Sequence, residues 1–182
     1  MYMAPWLGNP HGSHIEEFSQ VPFAAGQLVG LRAWRVTDGH MLRPSSVAEY
    51  TWTPGENLAQ CIPGSRPVPE DHQLVGGNCM CGFYAYHDGT NTYAGTVTIS
   101  GIMMGYGRCV HGTKGFRAEK ARILAIVKPS APQRVSFGYS SKNDIPMLDF
   151  DLLASNYPAV PVFESVDAAL DAFPLTPKQV TN

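Results

Sequence analysis

Between Gln27 and Val36 apolar residues fill both phases of a two-residue alternation. Leu28, Trp34 and Val36 fall on one face, and Val29, Leu31 and Ala33 on the other. Successive strand side chains point to opposite sides of a sheet, so this segment is predicted to be a strand. The tetrapeptide Thr37-Asp38-Gly39-His40 carries an Asp-Gly hairpin turn. A return strand over residues 41–43 stops at Pro44, and residues 48–52 read as a third short strand closed by Pro54-Gly55. Residues 56–80 are predicted to be a loop, because Pro63, Gly64, Pro67, Pro69, Gly76 and Gly77 break every periodic pattern.

In residues 93–104 Val97 and Ile99 alternate with Thr96, Thr98 and Ser100, which is the best strand signal in the chain. Gly95, Gly101, Gly105 and Gly107 mark bulges or bends in a coiled sheet. Residues 108–111 continue that strand or begin its partner, and 112–115 form a turn. Residues 116–127 combine helix formers at 117–122 with a buried-strand pattern at 123–127; a strand is the first reading and a helix the second. Short helices are predicted at 82–87, 148–157 and 167–173, the last capped by Ser165, with a short strand at 160–163 and a loop at 129–145.

These elements predict a single α+β domain over residues 26–175. It would hold a twisted, mostly antiparallel sheet from 27–53 and 93–127, a few short helices and a zinc-clamped long loop. Residues 1–25 read as an irregular arm and 176–182 as a frayed tail. A chain of 182 residues with 44% hydrophobic residues suffices for one core. Charged residues make 15% of the chain, below the usual level of about 25%. The 18 Gly and 15 Pro are scattered, so they read as turns rather than a repeat.

The clamp rests on chemistry carried by the long loop. Cys61, His72, Cys79 and Cys81 lie along it or at its ends, and together they supply a Cys₃His set of the kind Zn²⁺ accepts. A loop of this length needs something to tie it down. Cys-x-Cys is tighter than the usual Cys-x₂₋₄-Cys spacing, so three buried inert thiols, or a disulfide, are the competing readings. His111 is the substitute if His72 is not a ligand. Four protein ligands would make the zinc structural, and neither His-Glu-x-x-His nor a deaminase pattern is present to suggest hydrolytic chemistry. A nucleophilic alternative pairs Cys109 or Cys81 with His111 or His87 as base, but no cysteine-protease signature accompanies them.

The formal net charge of −2 argues against a general nucleic-acid coat. Its distribution is uneven: seven bases and one acid lie between Arg108 and Arg134, then six acids and no base from Asp144 to Asp171. Arg108, Lys114, Arg117, Lys120 and Arg122 are therefore candidate anion or nucleic-acid contacts, against the plainer reading of a solvated face. The aromatics Trp34, Tyr50, Trp52, Phe83, Tyr84 and Tyr86 read as core and its rim; Arg32 and Arg35 beside Trp34 keep a stacking platform in view. No transmembrane stretch or signal peptide is evident, which leads to the expectation of a cytoplasmic protein with reduced cysteines.

Several short motifs occur in order: Ala33-Trp34-Arg35, Trp52, Cys61, Cys79-x-Cys81-Gly82-Phe83-Tyr84-Ala85, Gly95-x-Val97 and Gly115-Phe116-Arg117-Ala118-Glu119. Tyr157, Val160-Pro161-Val162 and Phe173-Pro174-Leu175 follow. Over residues 30–175 this series resembles a set of uncharacterised small proteins of actinobacteria and their bacteriophages. Cys109 and the N-terminal arm lie outside the resemblance. It implies a bacterial cytosol or an infected host, and a protein partner there. The function expected is therefore a non-enzymatic binding or regulatory protein with a structural zinc site, a bacteriophage accessory protein acting on a host factor. The alternatives are a small metal- or cysteine-dependent hydrolase or transferase, and a nucleic-acid binder using the 108–134 basic strip.

Overall fold

The structure, a computed structural model, describes residues 26–44, 50–61, 73–76, 81–88, 98–132 and 147–177. The predicted arm at 1–25, residues 48–49 and 93–97, and most of the predicted loops lie outside the described residues. Among these described residues seven strands and two helices follow in the order β1 (Leu28–Val36), β2 (Leu42–Arg43), β3 (Asn57–Leu58), β4 (Phe83–Tyr86), β5 (Ile99–His111), β6 (Gly115–Val127), α1 (Phe150–Ser155), β7 (Val162–Phe163) and α2 (Val166–Ala172). Every pairing is antiparallel except that of β7 with the end of β6. No helix among the described residues is long and apolar enough to cross a membrane.

The pairings close a ring. β5 lies along β1 from Leu28–Gly105 to Trp34–Ile99, and β6 lies along β5. β4 pairs with the first residues of β6, and its last residue, Tyr86, meets Leu31 of β1. Four antiparallel strands thus enclose a small barrel, sealed between β1 and β4 by one residue pair. The interior is narrow at Phe116, which is fully buried. A Cβ on Gly30 would stand 2.7 Å from the Phe116 ring, and one on Gly105 would stand 2.5 Å from its other side. Only hydrogen at both positions leaves room for that ring.

The alternation in β1 serves two cores, as its pattern predicts. Leu28, Trp34 and Val36 enter the larger one with Trp52, Phe83, Phe116, Leu153 and Tyr157. Leu31 and Val29 face the smaller one, where α2 lays Ala169 and Leu170 over Ile102 and Ala125. α2 begins at Ser165, whose side chain accepts from Ala168 N. Tyr157, just past α1, fastens the other side: its hydroxyl accepts from Leu42 N and donates to Trp52 O, both at 2.8 Å.

Two expectations need correction. Residues 82–87 do not form a helix; Phe83–Tyr86 is a strand on the open edge of β6, with Phe83 and Ala85 buried and Tyr84 between them less so. Residues 50–52 of the predicted third strand are irregular, and the short strand lies further on, at Asn57–Leu58. There the buried Asn57 amide organises the preceding turn, accepting from Thr53 N and donating to Thr53 O and Gly55 O. The strand reading of 116–127 holds, because β6 is flanked by β5 on one side and by β4, β3 and β7 on the other.

Candidate functional site

Of the four predicted zinc ligands, His72 and Cys79 lie outside the described residues. Cys61 and Cys81 are both half-buried, and the topology brings their chain segments to one place. β3 runs along β6 until Ala59 N donates to Glu119 O at 2.8 Å. β4 then begins beside Ala118, the next position on the same edge. Cys61 is two residues past the first anchor and Cys81 two residues before the second, each about 7 Å of extended chain away. Gly82 makes the turn onto β4 with φ +127°, a conformation that side chains oppose.

Val75 N donates to the Cys81 Sγ at 3.2 Å, so this sulfur accepts a hydrogen bond from the backbone. Arg117 donates from Nη1 to Cys81 O and from Nη2 to Gly76 O, at 3.2 and 3.0 Å. Arg108 donates to Leu74 O at 3.2 Å. Two cations of the basic strip therefore hold Leu74, Gly76 and Cys81 by their carbonyls. Among the described residues no group of three or more His, Cys, Asp or Glu side chains is assembled for a metal.

His111 cannot substitute for His72 in this set. It pairs with Phe116 near the start of β6, at the far end of β4 from Cys81. Its true neighbour is His87, which follows β4; the two Nε2 atoms are 2.7 Å apart and both residues are buried. From Cys81 to His87 the chain covers about 20 Å at strand spacing, too far for ligands of one zinc. The rings meet edge to face at 4.5 Å, and one imidazole donates to the other. Burial holds His111 below its ordinary value.

The nucleophilic pair is not poised either. Cys109 is fully buried, and burial, helped by the Glu119 carboxylate, pushes its thiol up to about 11. At neutral pH almost none is thiolate. Two shallow clefts of about 330 Å³ flank Lys128–Ser130, and neither is lined by a cysteine or a histidine.

The rest of the basic strip is also engaged in part. Lys120 bridges Glu56 at 3.4 Å, and Glu56 accepts from the Tyr106 hydroxyl at 2.7 Å. Arg122 stands 5.9 Å from the centre of the Tyr106 ring, and Lys114 is exposed in the β5–β6 turn. The residue whose setting the sequence reading missed is Arg32. It lies inside, over Trp52, rather than on an exposed stacking platform. The signal was present: Arg32 falls in phase with Leu28 and Trp34. No protein-family model, no curated protein and no solved structure matches this chain.

Proposed function

We propose that the protein is a non-enzymatic binding or regulatory protein in which zinc, held by Cys61, His72, Cys79 and Cys81, fixes the 56–81 segment to the sheet. The setting that fits is a bacteriophage accessory factor acting on a protein of its bacterial host. The observation that carries the zinc is the anchoring of Ala59 and Phe83, each two residues from a candidate ligand, at neighbouring positions of the β6 edge, with an amide N–H donated to the Cys81 sulfur. The binding reading is supported by groups that chemistry would need but the fold occupies. Cys109 is kept protonated, and His87 and His111 are turned on each other. Nucleic-acid binding is the weaker reading, because Arg108 and Arg117 are committed to loop carbonyls.

Metal analysis of protein purified without a metal-affinity tag tests the clamp. One zinc per chain is expected, lost together with stability in Cys61→Ser and Cys81→Ser. A stable protein free of zinc would remove the clamp. Partner binding is tested separately by capture of a host protein from bacterial lysate. Cys109→Ala should retain a partner that the zinc-site variants lose, and capture of no partner by the wild-type protein would count against the binding reading.

A further inference from the structure

Arg32 lies within β1, in phase with Leu28, Trp34 and Val36, which enter the larger core. Its Nη1 donates to Tyr84 O at 2.5 Å, and its guanidinium carbon stands 4.8 Å from the centre of the Trp52 ring. Nε is shielded from solvent and has no hydrogen-bond partner among the described residues. Among those residues Nη1 is the guanidinium nitrogen that is engaged. The unused edge is therefore the Nε–Nη2 side, which presents two parallel N–H bonds. The group that matches such an edge is a carboxylate, one oxygen to each N–H.

No carboxylate of the described residues fills that role; the ion pairs among them join Lys120 to Glu56 and Lys128 to Glu164. Burial pulls Arg32 down to about 10, and the nearby phenols of Tyr86 and Tyr50 oppose that only in part. A cation partly withdrawn from water, with no carboxylate beside it among the described residues, is costly. The same cluster contains two more spare donors. The indole Nε1 atoms of Trp34 and Trp52 are buried and unpartnered, in rings 5.5 Å apart. A trapped water would satisfy donors, but it would leave the charge uncompensated. Tyr50 stands beside the cluster, 6.4 Å from the Trp52 ring, and its hydroxyl is already held by Asn57 Oδ1 at 3.2 Å. Arg32 as a whole keeps some contact with solvent, which gives a ligand a way in.

We propose that the Nε–Nη2 edge of Arg32, beside the Trp52 and Tyr50 rings, is a binding site for a carboxylate, carried by a small organic acid or by an acidic side chain of a partner. The site is independent of whether zinc occupies the cysteines. Tryptophan fluorescence and thermal unfolding would be followed while sodium acetate, end-blocked glutamate or sodium chloride is added at constant ionic strength. Saturable binding with a raised Tm is expected for a carboxylate and not for chloride. Arg32→Lys keeps the charge without the fork and should bind roughly tenfold or more weakly; Arg32→Met should not bind. Tighter binding of acetate assigns the site to a free acid, and tighter binding of blocked glutamate to a polypeptide side chain. An equal response to chloride, no response at all, or undiminished binding by Arg32→Lys would overturn the proposal. The lysine variant decides the matter even if Arg32→Met fails to fold.

Discussion

Single side chains here carry tasks that their residue types do not announce. Asn57 is 1% exposed and its amide organises the whole 53–57 turn. Asn57→Ala removes three hydrogen bonds that close the turn, so a loss of about 1–3 kcal/mol is expected in urea denaturation; a loss within 0.5 kcal/mol (about the surface-substitution range) would contradict this. His111 makes stability depend on pH. Its folded value is held below the free 6.5 by burial, so the unfolded chain takes up the proton first. Its contribution is complete above about pH 6.5 and is lost as pH falls below that point. Denaturation from pH 8 to 5 should show this fall, flattened in His111→Gln; a flat wild-type profile would refute it. The alternation of β1 made Trp34 legible as core. It also placed Arg32 there, but a charged residue is normally read outward, and only packing against Trp52 reveals otherwise.

At the scale of elements, the best-read segments were those whose pattern repeats long enough to fix its period. β1 and β6 run for 9 and 13 residues and were found as strands. β4 has 4 residues, too few to separate a helical from a strand period, and its state is decided by the vacant edge of β6. β3 has 2, and no local signal specifies it. α1 was legible through its own apolar spacing, but its attachment was not. That attachment is the Tyr157 hydroxyl, raised to about 12 by burial and bonded to both Leu42 and Trp52. Tyr157→Phe leaves a buried N–H and a buried carbonyl unsatisfied, and should cost about 1–3 kcal/mol. A thermal melt unchanged from wild type would show that α1 is held by apolar packing alone.

For the whole molecule, composition and the strand patterns gave the α+β class and the antiparallel sheet, but the ring closure was beyond them. It depends on β4 reaching from β6 to β1, a relation between segments more than 50 residues apart in the pair Leu31–Tyr86. The chain order offered the cysteines as a group. Of the four candidate ligands the described residues include Cys61 and Cys81, each two residues from an anchor on β6, and they set His111 at the opposite end of β4 from Cys81. The seam between β1 and β4 is the narrowest part of the barrel wall. It rests on the pair Leu31–Tyr86 and on the Arg32 bond to Tyr84 O, whereas β5 and β6 are joined along most of their length. Amide hydrogens at the seam should therefore exchange with deuterium through brief local openings, while those between β5 and β6 wait for global unfolding. The barrel would then breathe along one line, and that line passes beside Arg32.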